Sequence, residues 1–100
     1  MNDAEINRAI VQKVLGWELE LVRPDGAWWK LDIPTPTPDF LTWDGFGLLL
    51  EAIQRQGQDV YLGFDSEDWC AEVNWHRYVQ RHQDVRVALR DSVCLAYGIR

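Results

Sequence analysis

Three stretches of helix-spaced apolar residues, each closed by a glycine, divide this chain, and the segments between them alternate instead. Ile6, Ile10 and Val14, with Val11 and Leu15, follow the 3.6-residue period up to Gly16, and Asn2 or Asp3 stands ready to cap, which predicts a helix over residues ~3–15. Trp17 to Val22 then alternates, with Trp17, Leu19 and Leu21 on one face and Glu18 and Glu20 on the other. Arg23-Pro24-Asp25-Gly26 supplies turn chemistry, and Ala27 to Asp32 extends again, so a β-hairpin is predicted. The prolines of Pro34-Thr35-Pro36-Thr37-Pro38 donate no backbone hydrogen bonds, which reads as a stiff extended connector.

The pattern then recurs. Thr42 or Asp44 caps a second helix from Phe46 to about Gln56, with Leu49, Leu50 and Ile53 facing inward and Gly57 at its end. Val60 to Phe64 and Trp69 to Trp75 read as strands joined by the acidic turn Asp65-Ser66-Glu67-Asp68, with Tyr78-Val79 prolonging the sheet or adding a short strand. A last helix from about Asp84 to Tyr97 carries Val85, Ala88, Leu89, Ser92, Leu95 and Ala96 on one stripe and stops at Gly98. The expected architecture is α+β in the order α-β-β-α-β-β-α, an antiparallel four- or five-stranded sheet covered by helices, with residues 1–100 forming one domain.

An N-terminal helix running into Val14-Leu15-Gly16-Trp17, the leucine-rich Leu48-Leu49-Leu50-Glu51-Ala52, and Trp69-Cys70-Ala71-Glu72-Val73 ahead of a final helix together resemble the phage ABA sandwich domain family. The resemblance covers most of the chain. It implies a small phage or prophage protein whose relatives share a fold rather than a known activity. The Trp75-His76-Arg77-Tyr78 segment departs from that pattern.

Composition narrows the function classes. No apolar run is long enough to span a bilayer, and the first residues lack the basic and apolar regions of a signal peptide, so a cytoplasmic protein is expected. Cys70 and Cys94 have no CxxC partner and read as buried core thiols. The net charge of −6 opposes general binding to phosphate backbones, although residues 76–100 carry five bases against two acids. His76 and His82 lack metal-ligand spacing, and no HExxH, P-loop, GxSxG or GxGxxG motif occurs. Ser66 or Ser92 enters a Ser-His-Asp set only on paper, and the acidic turn lacks the spacing and glycine of a calcium loop, so neither catalysis nor a metal or cofactor is expected.

The candidate contacts are therefore for binding. Asp65, Glu67 and Asp68 on a rigid hairpin can accept bidentate arginine contacts. Six tryptophans exceed the needs of one small core, and neighbours Trp28 and Trp29 point to opposite faces of a strand, so Trp28, Trp29 and Trp75 are candidate aromatic anchors. Arg86 and Arg90, four apart on the last helix, form a basic stripe suited to an acidic partner or a phosphate. The leading expectation is a stoichiometric binder of a host or phage protein, in the manner of an anti-CRISPR inhibitor whose acidic surface imitates nucleic acid. A nucleotide-binding module, with a tryptophan stacked on a base, and a structural homodimer are the alternatives.

Overall fold

The computed structural model describes residues 1–17, 27–30 and 33–99, with side chains described for 1–17 and 36–99. Helix α1 (Asp3–Ile10) begins where Asn2 Oδ1 accepts the Glu5 amide at 2.8 Å, which satisfies one of the N–H groups a helix start leaves unpaired. Its continuation, Val11–Leu15, winds as a single π-helical turn and ends at Gly16, whose φ of 69° places it in the left-handed region that glycine adopts at low cost. Helix α2 (Trp43–Arg55) starts at the Thr42 cap, where Oγ1 accepts from the Gly45 amide at 3.0 Å. Helix α3 (Val85–Tyr97) starts at the Asp84 cap and ends on Gly98. Helices α1 and α3 thus lie where period and caps predict them, whereas α2 begins at Trp43 and not at the expected Phe46, because Thr42 and not Asp44 caps it.

The strands divide into two sheets. Strands β3 (Val60–Asp65), β4 (Asp68–Val73) and β5 (Tyr78–His82) form an antiparallel meander in the order β3-β4-β5, so Tyr78-Val79 opens a strand of its own. Strands β1 (Ala27–Lys30) and β2 (Ile33–Pro36) form a separate antiparallel pair. The α+β class holds, whereas the described strands make a pair and a three-stranded sheet in place of one continuous four- or five-stranded sheet. The expected strand over residues 18–22 lies outside the described residues.

The proline segment is a correction to the expected connector. Pro34 and Pro36 stand opposite Trp29 and Ala27 within β2. Alternate residues of a strand direct their backbone groups to the same edge, so the two prolines withhold N–H from one side only, and Ile33 and Thr35 keep theirs. The i, i+2 spacing is what lets this segment pair.

Packing follows the sheet's two faces. Leu62, Ala71 and Val73 face the helices and join Ile6, Ile10, Phe40, Leu49, Ile53, Leu89 and Val93 in one core. Helix α3 packs on β4 and β5, while α2 touches β3 only lightly. The buried face of α3 runs through Val85, Ala88, Leu89, Ser92 and Val93; Leu95, expected inward, is exposed because it falls off that stripe. Ser92 is fully buried, with its hydroxyl donating to the Tyr78 carbonyl. Cys70 and Cys94 are both buried, and neither forms a disulfide. Among the described residues, no helix is long and apolar enough to cross a membrane.

Candidate protein-interaction surface

The acidic turn is a two-residue connection between β3 and β4, with Asp65 paired opposite Asp68. Ser66 carries φ 56°, and the Glu67 amide donates to the Asp65 carbonyl at 2.6 Å across it, the geometry of a γ-turn. This sets Asp65 and Glu67 in solvent and Asp68 half-buried at the start of β4. Two carboxylates facing each other across a hairpin repel, and Arg81 on β5 answers Asp65 at 3.8 Å. Beside them Phe64, 60% exposed, leans on Trp69 with ring centroids 5.3 Å apart.

Trp75 sits at the other end of the same sheet. The β4–β5 turn runs through Asn74, Trp75 and His76 at φ 62°, 54° and 65°, three consecutive left-handed residues closed by the Arg77 amide donating to the Asn74 carbonyl. Asparagine tolerates this region, and tryptophan rarely adopts it. The turn holds Trp75 77% exposed, while His76 pairs with Glu72 and lies near the Tyr61 ring. One strand of six residues separates the two turns, about 20 Å at ~3.3 Å per residue. The acidic group and Trp75 therefore do not form one patch.

The basic stripe expected on α3 is split. Arg86 hydrogen-bonds both carboxylate oxygens of Asp84, at 3.0 and 2.7 Å, and lies 4.4 Å over the Trp43 ring. That side-chain hydrogen bond holds the Asp84 carboxyl below the ordinary aspartate range, and it raises Arg86 in turn. Arg90 turns inward, 6% exposed, and pairs with Asp3 at 2.9 Å and Asp91 at 3.5 Å. It cross-links α1 to α3 in place of facing a partner or phosphate, because its stripe position puts the guanidinium under the N-terminus of α1.

The side chains of Trp28 and Trp29 lie outside the described residues; their backbones pair with Thr35 and Pro34. Three exposed aromatics escape the sequence reading: Trp43, Tyr61 and Phe64. Trp43 occupies the first helical position after its cap, and the alternation of Val60, Leu62 and Phe64 against Tyr61 was the available signal for the strand. A cleft of about 210 Å³ between the π-helical turn and α2, lined in part by Trp17, Leu48 and Arg55, is smaller than the ~300–1,000 Å³ of usual small-molecule sites. Among the described residues, no group of three or more His, Cys, Asp or Glu side chains is arranged to hold a metal ion. No family model, curated protein or solved structure matches this chain.

Proposed function

We propose that this protein is a non-enzymatic binding domain that acts by stoichiometric contact with a basic protein surface, through the acidic end of its three-stranded sheet. The observation that carries this reading is the juxtaposition at the β3–β4 turn of exposed Asp65 and Glu67 with exposed Phe64. An aromatic anchor supplies apolar contact area, and neighbouring carboxylates select arginine and lysine on the partner. Such contact requires no catalytic residue. It is the mode by which a phage-borne anti-defence protein of the anti-CRISPR kind would occupy a nuclease's nucleic-acid cleft, a role consonant with the phage-family resemblance.

The test is a pull-down from host lysate with the tagged domain, beside a variant reversed at Asp65, Glu67 and Asp68 to lysine. Under this reading, one stoichiometric partner is captured and the folded variant loses it. Equal capture by both proteins would remove the acidic turn from the interface.

A second reading, a small-ligand module, draws on Trp43. Its ring is 63% exposed and carries Arg86 over it, an arrangement on which a nucleobase could stack. Asp84 already engages the guanidinium that a phosphate would need, which makes this the weaker reading. It predicts saturable quenching of Trp43 fluorescence by nucleotides that disappears in Trp43→Phe; a flat titration would dispose of it.

A further inference from the structure

The acidic turn is one end of a strand that, among the described residues, stands at the edge of its sheet. Among the described residues, β3 has β4 as its one sheet partner and no strand pairs with its other side. Open edges invite strand pairing, and soluble proteins usually guard them with basic residues, proline, a bulge or a covering element. The opposite edge of this sheet, β5, carries Arg81 and His82. Strand β3, Val60-Tyr61-Leu62-Gly63-Phe64-Asp65, has no basic residue and no proline, and pairs one-to-one with β4 without a bulge. Helix α3 covers β4 and β5 and leaves β3 at the poorly covered side.

The side chains along this edge have a consistent chemistry. Tyr61, 55% exposed, and exposed Phe64 flank it on opposite faces. Between them Gly63 keeps the strand's middle narrow: its neighbour Tyr61 lies so close that a Cβ there would come within 2.8 Å of the ring. Exposed Asp59 stands at one end, with Asp65 and Glu67 at the other, and no base occurs from residue 59 to 68.

Resting on the protein-binding reading above, we propose that the partner docks by adding an extended segment to β3 as a fourth strand. Its alternate apolar side chains pack beside Phe64 and Leu62 on one face, while on the other face a lysine or arginine near each end meets Asp59 and Asp65 and the residue between them lies against Tyr61. Main-chain hydrogen bonds supply the affinity, and the aromatic rings and flanking carboxylates supply the selection. Charge disfavours a second copy of this chain as occupant. In a two-fold antiparallel pairing centred on Leu62, Asp59 faces Asp65 of the other copy; centred on Gly63, it faces Glu67. Like charges directly opposite are destabilising in either register.

The experiment titrates the isotopically labelled full chain with a synthetic peptide, Arg-Val-Thr-Val-Thr-Val-Arg, and follows backbone amide shifts. The expected result is saturable binding with the largest shifts within Val60–Asp65 and little change in Tyr78–His82. Methylating alternate peptide nitrogens, or reversing Asp59 and Asp65 together to lysine, should each weaken binding at least about tenfold, which is about 1.4 kcal/mol. Tyr61→Lys, an exposed change that guards the edge, should do the same at unchanged melting temperature. Strand addition is overturned by absence of binding at about 1 mM peptide, by shifts centred elsewhere, by indifference to N-methylation, or by a concentration-dependent dimer whose interface is β3. A pull-down partner lost on reversal of the acidic turn, yet bound without protecting β3 amides from exchange, would sink strand addition alone and leave the protein-binding reading standing.

Discussion

Trp75 shows how much backbone strain one surface residue can carry here. Left-handed geometry costs a residue with a Cβ roughly 1–2 kcal/mol, and Trp75 recovers little of that through burial, since it is 77% exposed. Replacing it with asparagine, which tolerates this region, should therefore raise stability by roughly 1 kcal/mol in denaturant titrations. A loss of stability would mean that the indole makes a packing contribution larger than its exposure implies. Strain retained at an exposed aromatic commonly accompanies function, so the same variant belongs in the pull-down. Arg90 is the opposite case. Its side chain is almost wholly covered and is paired with Asp3 and Asp91. Asp3→Ala should destabilise the protein by about 2 kcal/mol, less than the ~3–5 typical of fully buried pairs because Asp3 itself is largely exposed. Arg90→Met, which removes the charge together with its need for a partner, should cost less in the same assay.

At the scale of elements, the helix starts make the sharpest predictions. Gly45 lies in the first turn of α2, against the chain that enters it; a Cβ there would come within 2.0 Å of the Asp39 carbonyl oxygen. A backbone atom cannot swing aside as a side chain can, so Gly45→Ala should lower stability by roughly 2 kcal/mol despite the higher helix propensity of alanine. At the start of α3, Arg86 stabilises the charged form of the Asp84 cap. A carboxyl depressed in the folded state contributes stability above its unfolded pKa, near 3.8, and loses that contribution as pH falls through its folded value. Stability measured from pH 6 to pH 2 should therefore decline below about pH 4 in the native protein, and Asp84→Asn should flatten that decline while lowering stability at neutral pH. A decline of unchanged steepness in the variant would assign the acid sensitivity to other carboxylates.

Across the whole molecule, one layer of helices covers one face of the three-stranded sheet, and the residues available for recognition gather on its turns and its β3 edge. Local signals determined a large part of this arrangement. Most helix limits were legible because caps and terminating glycines act within a few residues of themselves: Asn2 caps α1, and Gly16 and Gly98 take the left-handed turn, whereas the start of α2 was read three residues late because Thr42 and Asp44 are both able caps. The β3–β4 hairpin and the burial of Cys70 and Cys94 were legible for the same reason, from alternation and residue type. Other features depend on which distant segments meet. Arg86 and Arg90 have the same chemistry and nearly the same helix face, yet only the arrival of Asp3 at the start of α1 draws one inward, while the other lies over Trp43. Likewise the acidic turn and Trp75 are close in sequence but face opposite ends of the sheet, because β4 carries the chain from one to the other. Pattern and caps by themselves determined the elements, whereas the tertiary structure decided which of their polar and aromatic side chains solvent can reach, because exposure depends on the neighbours that packing brings from elsewhere in the chain.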